Sequence, residues 1–343
     1  MLRLSVLDQS TVVTGRSPDA SIRESIALAQ HAEALGYHRY WVAEHHNSDS
    51  IAGSAPEVLM AAVAATTQRI RVGSAGVMLP HYSALKVAEQ FRVLEAIAPG
   101  RIDLGLGRAP GSDGHTAQAL NPNAAQAAEH FPSDVRDLLN WLSGDKLVEG
   151  HPFRDIVAQP QGPTTPEVWI LGSSDFGAQV AAYFGLPHCF AHFIGERGAA
   201  QALQLYRETY RPSARHPKPL GALCVWALAA ETEAEATRLF ASRALARLNR
   251  DRGIFAPLAS PEEADAFPYT DADRAHIARI QERAIFGTPE QVATKLRAIA
   301  KECGVEEVAV LTAAHDPLAR RRSYTLLARE FGMVSSEKSL AAE

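Results

Sequence analysis

Gly73-Ser74-Ala75-Gly76-Val77-Met78-Leu79-Pro80 decides how this chain folds. It follows Arg69-Ile70-Arg71-Val72, whose alternation of apolar and basic residues reads as a strand. It leads through a helical pattern, Ser83 to Phe91, into Gly100-Arg101-Ile102-Asp103-Leu104-Gly105-Leu106-Gly107-Arg108, a second strand with a glycine-rich exit. The result is one strand–helix–strand unit. Small residues stand at both strand exits, where backbone can closely approach a flat or phosphorylated ligand.

Similar units extend in both directions. Towards the N-terminus, Leu2 to Asp8 reads as a strand. Ser17-Pro18-Asp19 opens a helix carrying Ile22, Ile26, Ala29, Ala32 and Leu35 at helical spacing, and Gly36 ends it. Tyr40 to Ala43 is the next strand and runs into Glu44-His45-His46-Asn47. Ser54-Ala55-Pro56-Glu57 fits a capping box for a helix to about Thr67.

Beyond Gly107 the pattern weakens. Gly111 to Gly114 reads as a loop, Ala124 to Leu142 as a helix interrupted at Pro132, and Val148 to Pro166 as a proline-rich segment with room for a small hairpin. It then resumes. Strands are expected at Glu167–Leu171, Pro187–Phe193, Leu220–Ala229 and Val308–Leu311, with helices between them. Asp251 to Asp271, rich in proline and acid, reads as a lid or binding loop. Residues 1–334 are expected to form one domain, and 335–343 a polar tail.

Eight buried strands alternating with helices predict an α/β fold, a (β/α)₈ TIM barrel with loop insertions. The rival is an open doubly wound sheet. Gly105 to Gly111 is spaced GxGxxxG with proline where a helix should begin, which is a poor dinucleotide fingerprint and favours the barrel. The net charge of −5 is spread along the chain without a basic block, so nucleic acid is not an expected partner. No apolar run is long enough for a membrane span. Cys189, Cys224 and Cys303 are odd in number and far apart, which argues for a reducing, cytoplasmic setting and against structural zinc.

Active sites of such barrels lie at the C-terminal ends of the strands. That rule selects Asp8 and Gln9, Glu44 to Asn47, Ser74 to Met78, Gly107 and Arg108, Gly172 to Asp175, His192, and Thr312 to Asp316. A histidine within Glu44-His45-His46 can move a proton near neutral pH, or can be a hydrogen-bonded structural residue. Neighbouring histidines on extended backbone point apart, so one metal ion could hardly take both, and no metal is expected. Ser173 and Ser174 precede a helix whose first amides could bind an anion, with Arg108 adding a guanidinium; plain capping and ion pairing would explain the same residues. Ser74-Ala75-Gly76 suits a flat ring on bare backbone, or simple close packing.

At these residues the chain resembles the bacterial luciferase-like family of flavin-dependent monooxygenases, in particular its single-chain branch. The segments Trp41 to His46, Gly73 to Pro80, Ala88-Glu89-Gln90 with Pro99 to Arg108, and Phe286-Gly287-Thr288-Pro289-Glu290 carry the likeness in family order. The resemblance implies FMN, with its phosphate near Arg108, Ser173 and Ser174 and its ring at Ser74, Ala75 and Gly76. It also implies a non-proline cis peptide at Ala75–Gly76, an active-site histidine at His45 and a lid within Asp251 to Arg283. The chain departs from luciferase in having Ser173 in place of an acid and Gly177 in place of a threonine.

The implied reaction takes reduced FMN and O₂ through a flavin hydroperoxide that oxidises a small organic substrate, such as an aldehyde or a sulfur compound. The flavin would be reduced by a separate NAD(P)H:FMN reductase. The resemblance further implies a homodimer, for which the alanine- and valine-rich second and third helices would serve. Three alternatives remain at this point: a deazaflavin-dependent hydride transfer on the same fold, a metal-dependent hydrolase using His45 or His46 with Asp8, and a non-catalytic flavin-binding protein.

Overall fold

The computed structural model describes residues 2–334, so the expected tail from Ser335 lies outside the described residues. Among the described residues there are nine strands: β1 (Arg3–Asp8), β2 (Arg39–Val42), β3 (Arg71–Met78), β4 (Ile102–Gly107), β5 (Glu167–Gly172), β6 (His188–Ala191), β7 (Gly221–Ala229), β8 (Ile285–Gly287) and β9 (Glu307–Leu311). All pair in parallel. Strands β1 to β7 follow one another around the wall, β7 pairs β9, and β9 pairs β1. Eight strands therefore close into the expected (β/α)₈ barrel. The ninth, β8, is outside it: β7 pairs with β9 over Leu223–Trp226, then with β8 over Ala227–Ala229.

The period-two pattern of each strand divides its side chains between two cores. Leu4, Val6, Tyr40, Val42 and Leu104 face outward and pack with helix residues such as Leu28, Val63 and Phe91. Leu7, Trp41, Trp169, Cys189, Cys224 and Leu311 fill the barrel interior.

The N-terminal end of the barrel is closed by charge. Arg39, buried at the start of β2, donates to Asp103 (2.8 Å), Glu167 (2.8 Å) and Glu307 (2.9 Å). Arg71 also holds Asp103 (2.9 Å through Nε), and the Arg39 guanidinium lies 4.7 Å from the ring centroid of Trp169. With this end sealed, access to the interior is from the C-terminal ends of the strands.

Several local expectations need correction. Strand β3 starts at Arg71 and runs on to Met78, so Ser74-Ala75-Gly76 lies within the strand and not at its exit. A Cβ on Gly105 would strike the carbonyl oxygen of Ser74, and one on Gly76 would sit 2.8 Å from the carbonyl oxygen of Gly105. Close approach of β3 and β4 therefore accounts for these glycines. Ala55 caps the second helix (Pro56–Thr66) in place of Ser54; alanine has no side-chain acceptor, so no capping box forms there, and Glu57 accepts instead from Gln90 (3.2 Å). The expected helix from Ala124 breaks at His130 into Ala124–Glu129 and Phe131–Ser143; Pro132 sits in the first turn of the second piece, where a missing N–H costs nothing.

Residues 148–166 hold no strand. Buried Arg92, on the helix Ala84–Ile97, instead ties that segment down through the carbonyls of Pro160 (2.7 Å), Gly162 (3.3 Å) and Thr164 (2.7 Å). The Asp251–Asp271 stretch is not a bare loop: Ser260 and Glu263 form a capping box on a short helix, Pro261–Asp265, and Thr270 with Asp273 caps Asp271–Arg283.

Candidate active site

A cavity of about 300 Å³ opens at the C-terminal end of the barrel. That is the lower end of the range for small-molecule sites. Trp41, Ala75, Gly76 and Leu171 form part of its floor and wall, Phe131, Phe176 and Phe193 add aromatic surface, and Arg108, Ser173 and Ser174 stand at one side. The Ala75–Gly76 peptide is cis, at the position the resemblance implies.

The side with Arg108 has the chemistry of an anion site. Arg108 is exposed and its guanidinium lies 3.8 Å from the ring centroid of Phe176; among the described residues no carboxylate pairs with it. Ser174 caps the helix Asp175–Phe184 by position, yet its hydroxyl accepts no capping hydrogen bond, and the Ser173 hydroxyl is likewise without a partner among the described residues. The first-turn amides of a ten-residue helix, two free hydroxyls and an unpaired guanidinium thus converge beside a flat apolar cavity. These residues fit a planar cofactor that carries a phosphate.

Ser74 does not contribute to the cavity wall. Its hydroxyl is fully buried, donates to the Gly105 carbonyl (3.0 Å) and accepts from the Gly105 amide (3.1 Å), clamping β3 to β4. Ala75 and Gly76 do line the wall.

His45 stands just past the end of β2, its amide held by the Gly53 carbonyl (2.9 Å), and it is outside the residues that line the cavity. Its Nδ1 is buried without a partner. Burial, with Arg250 nearby, lowers its pKa to about 4, so the ring is neutral at pH 7. His46 behaves differently. Its Nε2 pairs with Glu44 (2.8 Å), which also accepts from Tyr82 Oη (2.8 Å) and from the Met78 amide (3.1 Å). The Glu44–His46–Tyr82 cluster was not singled out in the sequence, because Tyr82 lies 36 residues from His46 and only the β2–β3 pairing brings them together.

Asp8 is fully engaged by Arg320 (2.7 Å) and Tyr40 (2.6 Å), and among the described residues no three histidine, cysteine or carboxylate groups form a metal-binding cluster. A hydrolase built on Asp8 with His45 or His46 therefore lacks its ligand set. Cys189 and Cys224 also line the cavity, and burial pushes both thiols up, so they stay protonated there. No helix among the described residues is long and apolar enough to cross a membrane.

The fold is thus a parallel (β/α)₈ barrel whose C-terminal end carries a flat apolar cavity with cationic and hydroxyl groups at one side. The match of residues 2–307 to the luciferase-like monooxygenase family model places the chain in that family. Among relatives, it is 43% identical over 96% of its length to protein YwcH of Bacillus subtilis (strain 168), covering 99% of that protein. It is 36% identical to N-acetyl-S-alkylcysteine monooxygenase of the same organism, covering 95% of this chain and 97% of the relative. The crystal structure of apo-MsnO8 superposes with a TM-score of 0.89 at 38% identity, over 97% of this chain and 99% of that one. Two more distant structures share the fold alone. The oxygenating constituent of 3,6-diketocamphane monooxygenase from Pseudomonas putida, in complex with FMN, has a TM-score of 0.70 at 18% identity, covering 96% and 97%. An F420-dependent secondary alcohol dehydrogenase has a TM-score of 0.62 at 15% identity, covering 98% and 99%.

Proposed function

We propose that the protein is an FMN-dependent monooxygenase that oxidises a small organic substrate, with sulfur the favoured target atom. The observation that carries this reading is the unpaired Arg108 guanidinium beside the free Ser173 and Ser174 hydroxyls at the edge of the cavity. The distant relatives by fold hold either FMN or F420, whereas those above 35% identity whose names state an activity are monooxygenases. The sulfur preference rests on the relative that acts on an N-acetyl-S-alkylcysteine.

Bound reduced flavin supplies the electrons that activate O₂. The chain's own residues have separate tasks. Arg108, Ser173 and Ser174, with the helix amides, fix a phosphate by charge-assisted hydrogen bonds. Ala75 and Gly76 leave bare backbone under a planar ring, and Trp41, Phe131 and Phe193 keep water from the cavity. His45, partly buried and neutral at pH 7, stands past the end of β2 where its ring can exchange a proton with a ligand that extends beyond the cavity. We further assign reduction of the flavin to a separate NAD(P)H:FMN reductase. A homodimer would use the helices Pro56–Thr66 and Ala84–Ile97, on which Val58 (67%), Val93 (47%) and Ile97 (48%) are exposed.

Anaerobic titration with oxidised and reduced FMN, beside an Arg108→Ala variant, tests the reading. Reduced FMN is expected to bind more tightly, and the variant to lose about tenfold or more of that affinity, the value of one charge-assisted pair. Binding of neither form would overturn the FMN reading. Rapid NADH consumption by the protein alone would remove the reductase.

A further inference from the structure

Next to the central cavity lies a smaller hollow of about 40 Å³, between the end of β7, the helix Glu233–Asp251 and the helix Asp271–Arg283. Phe193 lines both spaces, so they adjoin. The hollow has room for a few atoms at most. Trp226, Phe193 and Ile280 form its apolar surface; Arg243 and Arg247, one turn apart on the same helix, bring positive charge to it.

The donors around this space lack acceptors. The indole Nε1 of Trp226 is buried, with the residue 7% exposed, and has no hydrogen-bond partner. Arg247 Nε is also buried without a hydrogen bond; it lies 3.2 Å from Asp251, close enough for an ion pair but misaligned for a hydrogen bond. Arg243 lies 5.3 Å from the Trp226 ring centroid and, among the described residues, makes neither an ion pair nor a hydrogen bond. Two carboxylates are near without contacting Arg243: Asp251 takes His276 (2.8 Å) as well as Arg247, and Glu196, itself part of the lining, pairs with Arg283 at 3.9 Å; both favour the charged form of Arg243. Burial together with Arg247 and Arg250 lowers the Arg243 pKa to about 10, which still leaves it charged at pH 7. Burying donors and a cation without an acceptor is costly, and an anion would relieve all of it.

We propose that this hollow binds the carboxylate of the substrate, and that the substrate is a small organic acid whose apolar part passes Phe193 into the central cavity. The proposal deepens the monooxygenase reading and rests on it for the assignment of the central cavity. An anion could come from the substrate or from the flavin phosphate, and the test separates the two.

Calorimetric titration of the protein, with and without FMN, uses N-acetyl-S-benzyl-L-cysteine and its uncharged primary amide as a matched pair. The acid is expected to bind at least about tenfold more tightly than the amide. Arg243→Met should abolish that preference, Arg243→Lys should keep part of it, and both should leave reduced-FMN affinity unchanged. An unaltered unfolding midpoint in the Lys variant controls for the fold. Equal affinity for acid and amide, or binding of neither, would overturn the proposal. A preference that survives Arg243→Met while FMN affinity drops would assign the hollow to the flavin phosphate instead. Failure of the native protein to bind FMN would count against the monooxygenase reading alone, because the acid–amide comparison is also made without flavin.

Discussion

The two ends of the barrel use arginine in opposite ways. At the N-terminal end Arg39 is buried and meets three carboxylates, Asp103, Glu167 and Glu307, within 2.9 Å. These partners raise its pKa despite the burial. At the C-terminal end Arg108 and Arg243 each lie over an aromatic ring and, among the described residues, pair with no carboxylate. Closure needs neutralised charge, because an unpaired ion inside a protein is expensive. A binding site needs charge left open, because a group already paired has little to offer a ligand. At the C-terminal end the fold neutralises Arg320 with Asp8 (2.7 Å), yet it leaves Arg108 and Arg243 without such a partner among the described residues.

The largest effect should come from breaking the closed end. Arg39→Met leaves three carboxylates without their shared cation and should cost about 3–5 kcal/mol, or abolish folding, as read from urea unfolding. Adding Asp103→Asn and Glu307→Gln should recover part of the loss; no recovery would mean that Arg39 acts through packing on Trp169 alone.

Acid should reveal the next effect. His45 and His188 both have folded pKa values lowered to about 4, chiefly by burial. The unfolded chain thus takes up protons that the fold refuses. Stability is fully present above about pH 6.5, declines as pH falls, and levels off below about pH 4. Between pH 6.5 and 5 each histidine should account for on the order of 2 kcal/mol. His188→Asn, at the closed side of β6, should make that slope shallower in unfolding measured against pH, leaving the part due to His45 and to His38, His192 and His216, whose pKa values burial also lowers. An unchanged slope would show that the ring is charged in the fold.

Open-end variants should barely change stability. Arg108→Ala should shift it by less than about 0.5 kcal/mol, since exposed residues without partners contribute little, while flavin affinity falls. Smallest of all, Arg243→Met should be neutral or slightly stabilising in thermal unfolding, because burial and the neighbouring Arg247 and Arg250 outweigh the attraction of Glu196 and Asp251 for its charge. A clear loss of stability would mean that Arg243 has a structural partner and would erase its contrast with Arg39.

Much of the fold was legible in the sequence because strand and helix periodicities are local. Leu220 to Ala229 reads as a buried strand from its unbroken apolar run, and Thr288-Pro289-Glu290 caps a helix through Gln291 as its pattern implies. Of the site, the region after Gly107 and the serines before Asp175 could be found because barrel topology places strand exits together. Orientation could not be read. Ser74 and Ala75 are neighbours, yet one clamps Gly105 and the other faces the cavity, and the register of β3 against β4 decides which does which.

The sequence by itself determined the number of barrel strands, most helix limits and the charged and small residues available at each strand end, since these depend on near neighbours in the chain. Only the tertiary structure decided that β9 closes on β1, that Arg92 holds the segment 148–166, that Glu44 gathers His46 and Tyr82, and that Arg39 is paired while Arg243 is not. Pairing is a property of distance in space. An arginine reads the same in a sequence whether three carboxylates fold against it or none does.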